Sequence, residues 1–192
     1  MSQEQNLNSN LTVHFETTPN PATYKFIFSA PICNHQKQFN HVSETDISPL
    51  AAKIFGFPWV SQVFIGENFV SITKQDWVEW SVLAQPLAGL LKEHVANQQP
   101  IFVEIKPLAE SDILESDTEV VKKIKTILKN EIRPVVALDG GDIVFHKYEN
   151  NVLFVQMKGA CNGCPSSQAT LKEGIEVKIK QALPEVISVE AI

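Results

Sequence analysis

The chain has 192 residues, 44% of them hydrophobic, and a formal net charge of −6. That length holds one large domain or two small ones, and the apolar share supports folded cores and excludes wholesale disorder. The acidic balance disfavours a general nucleic-acid binder, no apolar run approaches the roughly 20 residues that span a bilayer, and three cysteines are too few for a disulfide framework.

Residues 1–10 are a polar tail with neither an apolar leader core nor an arginine-rich amphipathic pattern, so the expected setting is the reducing cytoplasm. Leu11 to Glu16 alternates apolar and polar residues, as a half-buried strand does. Thr18-Pro19-Asn20-Pro21 signals a turn, and Tyr24 to Phe28 reads as a second strand. A short helix is expected over Ser48 to Phe55, with Ser48 as N-cap, Pro49 at the first helical position and Gly56 as the stop. Strands Val60 to Ile65 and Phe69 to Thr73 follow, joined by Gly66-Glu67-Asn68. Helical text then runs from Asp76 to about Ala96, with Pro86 expected to interrupt it. Trp59, Trp77 and Trp80, with Phe55 and Phe57, are expected in the core of this first small α+β domain.

The character changes from Gln98 to about Asp117. Pro100 and Pro107 bracket a β-prone piece, Ile101 to Ile105, which reads as linker or as a strand added to either domain, and acidic text follows it. The expected domains are therefore residues 1–110 and 111–192. In the second, Asp117 or Thr118 caps a helix to about Ile132, with an apolar stripe of Val120, Val121, Ile124, Ile127, Leu128 and Ile132. Its lysines, Lys122, Lys123, Lys125 and Lys129, fall on the expected solvent face, and Pro134 follows its end. Asp139-Gly140-Gly141-Asp142 reads as a turn positioning a hairpin rather than as carboxylate chemistry. Strands Ile143 to Tyr148 and Val152 to Met157 pair through Glu149-Asn150-Asn151. A helix from Pro165 to about Leu183 and a strand Val186 to Val189 complete an α-β-β-α-β order. The fold class is α+β: two small α+β domains joined by a linker.

The chemistry concentrates in Gly159-Ala160-Cys161-Asn162-Gly163-Cys164-Pro165-Ser166-Ser167. A strand delivers Cys161 and Cys164 to a helix start, whose unpaired N–H groups and partial positive charge favour thiolates. The glycines leave room for a bulky group, and the serines can cap the helix or tune the site. Three readings compete. A redox dithiol fits the bare spacing, but thioredoxin-like sites lie in a parallel βαβ context; here a hairpin precedes the pair and no aromatic residue precedes Cys161. A zinc site needs two more ligands, and the domain offers only His146 besides. An iron–sulfur cluster shared by two copies gives four thiolates. Two ordinary buried cysteines would not call for Gly, Pro and Ser around them. Cys33 reads as a small structural cysteine, and the five histidines show no ligand spacing.

Ile132-Arg133-Pro134, Asp139-Gly140-Gly141-Asp142, residues 159–167, Thr170 to Glu176 and Pro184-Glu185-Val186 together resemble the C-terminal domain of NifU-type iron–sulfur proteins. Thr18 to Pro21, Lys25-Phe26, Ser48 to Ala51, Val63 to Gly66, Phe69 to Lys74 and Trp77 resemble the Nfu N-terminal domain. The resemblance implies a carrier rather than an enzyme. It would bind a [4Fe-4S] cluster bridged between two subunits through Cys161 and Cys164 and deliver it to apo-proteins. The implied partners are a second copy when loaded, apo iron–sulfur clients and an upstream donor scaffold, with no nucleic acid and no membrane.

Overall fold

The computed structural model of the chain describes residues 11–103, 113–162 and 165–192, with the side chains of 165–172 left aside. The chain divides into two compact units, residues 1–107 and 108–192, and each combines helices with one sheet. Among the described residues, no helix is long and apolar enough to cross a membrane.

In the first unit, β1 (Val13–Thr17), β2 (Thr23–Phe28), β3 (Lys37–Phe39), β4 (Val60–Ile65) and β5 (Phe69–Lys74) form one antiparallel sheet in the order β1-β2-β5-β4-β3. Phe26 pairs with Val70 and Val63 with Ile72, and this face meets α1 (Pro49–Phe55) and α2 (Trp80–Ala96). The α2 residues Trp80, Ala84, Leu87, Ala88 and Leu91 are buried, a spacing that places them on one helical face. Helix α2 runs unbroken through Pro86, against expectation. That residue is on the solvent side, where water can meet the carbonyl left without an N–H partner. The helix begins at Trp80 rather than Asp76, and Trp77, expected in the core, is 68% exposed on the turn before it. Ser48 is the N-cap of α1: its Oγ accepts from Ala51 N–H at 3.1 Å and donates to the Ile101 carbonyl at 2.6 Å. With Val103 N–H donating to the Ile47 carbonyl, residues 101–103 are tied to the first unit without forming a strand. The rest of the β-prone piece, Glu104 and Ile105, lies outside the described residues.

The second unit starts with α3 (Glu119–Ile127), capped by Thr118, whose Oγ1 accepts from Val121 N–H. The helical path does not stop at Ile132. A π-helical turn over Leu128–Ile132 leads into α4 (Arg133–Leu138), with Pro134 in its first turn, where no N–H is required. The buried residues Ile124, Leu128, Ile132 and Val136 recur every fourth position. At 3.6 residues per turn that stripe drifts by about 40° at each step. A wider turn takes up part of this drift and keeps the stripe on the sheet. Lys125 is corrected from the solvent face: it is buried, its Nζ donates to Asp117 Oδ2 at 2.7 Å and lies 5.1 Å from the centroid of the Phe145 ring.

Strands β6 (Gly141–Glu149) and β7 (Val152–Gly159) form an antiparallel hairpin, and Asn150 and Asn151 between them both take positive φ, 52° and 63°. A two-residue hairpin turn needs this conformation, and asparagine tolerates it. Helix α5 (Pro165–Ala182) then crosses to β8 (Ser188–Ala191), which lies parallel to β7 in the order β6-β7-β8. Glu176 of α5 accepts the backbone N–H of Val189 at 3.0 Å.

Candidate metal centre

Cys161 stands just beyond the end of β7, and three backbone contacts fix its approach. Gly141 and Gly159 are partners at the open end of the hairpin; Ala160 N–H donates to the Gly140 carbonyl at 3.1 Å, and Asn162 N–H to the Gly159 carbonyl at 3.0 Å. Gly140 and Gly159 have φ of 76° and 64°, a region glycine enters at little cost. The Asp-Gly-Gly-Asp motif is thus half turn and half strand. Asp139 and Gly140 end α4, whereas Gly141 and Asp142 begin β6.

Gly141 has a second role with no local sequence signal. A Cβ there would collide with the Sγ of Cys161 and stand 2.8 Å from the Lys158 carbonyl oxygen. The thiol occupies the volume a side chain would need. Cys161 is 3% exposed and packs with the second core, and Ala160 beside it is also buried. Next to Gly141, Asp142 accepts two parallel hydrogen bonds from Arg133, Nε to Oδ1 at 2.7 Å and Nη2 to Oδ2 at 2.8 Å. This bidentate pair locks the first turn of α4 to the start of β6.

The other expected ligand, Cys164, and Gly163 lie outside the described residues, as do the side chains of Ser166 and Ser167. Among the described residues, no three His, Cys, Asp or Glu groups gather into a metal site. Cys33 is half-buried in the first unit, its thiol within reach of the carbonyls of His35 (3.0 Å) and Gly66 (3.2 Å). Burial raises its pKa above the ordinary value of 9.0, and the charge of Glu67 adds to the effect. His94 is buried with Nε2 3.2 Å from the Pro100 carbonyl. Burial lowers its pKa, the Pro100 contact opposes and the Lys53 charge adds to the lowering.

One premise about this site is corrected. Strand β7, helix α5 and parallel β8 make a βαβ unit, and Cys161 follows the first strand of that unit. A hairpin precedes the pair, as expected, but a crossover follows it. Where it lies, Cys161 is more buried than a dithiol-exchange nucleophile, because reactive cysteines are at least partly exposed.

Residues 124–190 match the family model described as NifU-like domain, and residues 13–98 match that described as scaffold protein Nfu/NifU N terminal. The chain belongs to the Nfu/NifU-like family. Among the curated relatives of this Nfu chain is the NFU1 iron-sulfur cluster scaffold homolog, mitochondrial, of Drosophila persimilis. It is 38% identical over 182 residues, covering 94% of this chain and 64% of the relative. The protein of that name from Drosophila ananassae is 38% identical over 185 residues, covering 95% and 65%. This chain thus spans slightly less than two thirds of the length of the curated relatives it matches. A solution structure of a NifU-like protein from Saccharomyces cerevisiae aligns with a TM-score of 0.45 and 22% identity, over 55% of this chain and 92% of the other. The relatives' names overturn the cytoplasmic expectation, since both are mitochondrial. That expectation rested on the composition of the first residues and on a default for reduced thiols, and neither identifies a compartment.

Proposed function

We propose that this Nfu chain is an iron–sulfur cluster scaffold and carrier. Its cargo is a [4Fe-4S] cluster held between two copies by Cys161 and Cys164 of each, and it passes that cluster to apo-proteins. The observation that carries this reading is a single Cys-x-x-Cys at the end of β7 within a segment that matches the NifU-like model. Two thiolates per chain are half of the four that such a cube takes. The α5 N-terminus just beyond them supplies partial positive charge and N–H donors toward bridging sulfides. We assign residues 111–192 to cargo binding and residues 1–110 to client choice. Release then proceeds by exchange of one sulfur ligand at a time: each Fe–S bond to this chain is replaced by one to a client thiolate, and no bond of the protein chain is broken.

Anaerobic reconstitution should yield about four irons and four sulfides per dimer, and Cys161→Ser or Cys164→Ser should abolish loading. Loading and transfer by both variants at the wild-type level would refute the proposal. The βαβ setting favours one second reading, a dithiol redox module, which requires the metal-free chain to reduce insulin disulfides. Failure to do so removes it.

A further inference from the structure

The ligand reading and the structure disagree at one atom. A metal–thiolate bond is about 2.3 Å long, yet the residue that should form it is 3% exposed and packed with the core. A residue so little exposed offers almost no surface for a group as large as a cluster.

We infer that the cluster-free chain keeps the Cys161 thiol stowed in the niche left by the missing side chain of Gly141, and that loading requires the turn at residues 160–162 to open. The inference rests on the reading of Cys161 as a cargo ligand. Its physical basis is local. Gly141 is in β6 with an ordinary φ, so glycine is not required there by backbone conformation. Its distinguishing property is the absent Cβ, which would collide with Cys161 Sγ. The hydrogen bond from Ala160 N–H to the Gly140 carbonyl holds the turn shut, and Gly159, at positive φ just before it, is where the backbone can swing. The Arg133–Asp142 pair anchors the floor of the niche at the next residue of β6. A stowed thiol is shielded from oxidants and alkylating agents while no cluster protects it. Loading becomes a two-step process, opening and then ligation.

The test is the alkylation rate of Cys161 in the full, reduced, metal-free chain, read by mass mapping of its peptide after timed iodoacetamide exposure. Cys161 should react at least about tenfold more slowly in the folded chain than in denaturant, because reaction waits on local opening. Gly141→Ala should bring the folded rate toward the denatured one with far-UV dichroism retained. A wild-type ratio near one overturns the inference, and this measurement needs no variant to fold. A folded Gly141→Ala chain with undiminished protection also overturns it, since something other than the niche would then hold the thiol. The two proposals fail separately. A protected Cys161 in a chain that never loads a cluster refutes the carrier reading alone, and a fully reactive Cys161 in a chain that loads refutes the stowed thiol alone.

Discussion

Replacing Arg133 by methionine keeps the aliphatic stem and removes the guanidinium from Asp142. The carboxylate side chain is 5% exposed and that of Arg133 22%, and both carboxylate oxygens take a short charged hydrogen bond. Removing one partner of a buried pair costs about 3–5 kcal/mol, because the other charge stays buried without compensation. The partial exposure of Arg133 lets water reach its end of the pair, so the lower figure of about 3 kcal/mol applies. In a domain of this size each kcal/mol moves the melting temperature by about 4–8 °C, so the second unit should melt about 12–24 °C lower. Differential scanning calorimetry of the full chain, read beside the wild type, should show this lowered transition. In Arg133→Met/Asp142→Leu neither charge of this pair remains, and most of the loss should be recovered. A shift under about 3 °C, or a double variant no more stable than the single one, would refute the reasoning.

Three further outcomes are expected. Ser48→Ala removes the α1 cap and leaves the Ile101 carbonyl without its donor. It should cost the first unit about 2 kcal/mol by urea denaturation, and a loss below about 0.5 kcal/mol would contradict the double role. The pKa of His94 is lowered in the folded state, so the unfolded chain takes up its proton first. First-unit stability should therefore fall as the pH drops below the ordinary value of 6.5, and the urea midpoint at pH 5.5 should lie below that at pH 7.5 by more than in His94→Gln. The hydrogen bond from Lys125 holds the pKa of Asp117 below its ordinary 3.8, so its contribution is complete above that value and is lost as the pH falls below it. Carboxyl NMR of Lys125→Met should find the Asp117 titration moved upward, and an unmoved titration would show that the pair does not act.

Local chemistry was readable from the sequence wherever a feature closes within a few residues. Ser48 and Thr118 cap the helices they precede, and the paired asparagines turn the hairpin, because each interaction joins near neighbours. Sequence pattern failed where a distant partner decides. Lys125 lies on a face that reads as solvent until Asp117 and the Phe145 ring cover it. Trp77 carries every hydrophobic cue and still points outward, one turn before the helix that buries Trp80. Strand β3 is three residues long, too short to establish a period. Proline signals a break, but Pro86 and Pro134 sit where a missing N–H is harmless. Around the site, the strand that leads to Cys161 and the helix that starts at Pro165 were legible. The seat of Cys161 against Gly141 was not, because it depends on two chain segments meeting at the hairpin's open end.

The contact between Glu176 and Val189 bears on how the protein survives its own concentration. Strand β8 is an outer strand of its sheet, and an outer strand presents backbone groups on which another chain can grow. At Val189 the donor is already taken by a carboxylate from the same molecule, itself paired with Lys180, so an incoming strand would meet an ion pair there instead of an open N–H. The helix that crosses over the sheet thus also closes one point of its edge, and strand addition along β8 is disfavoured there.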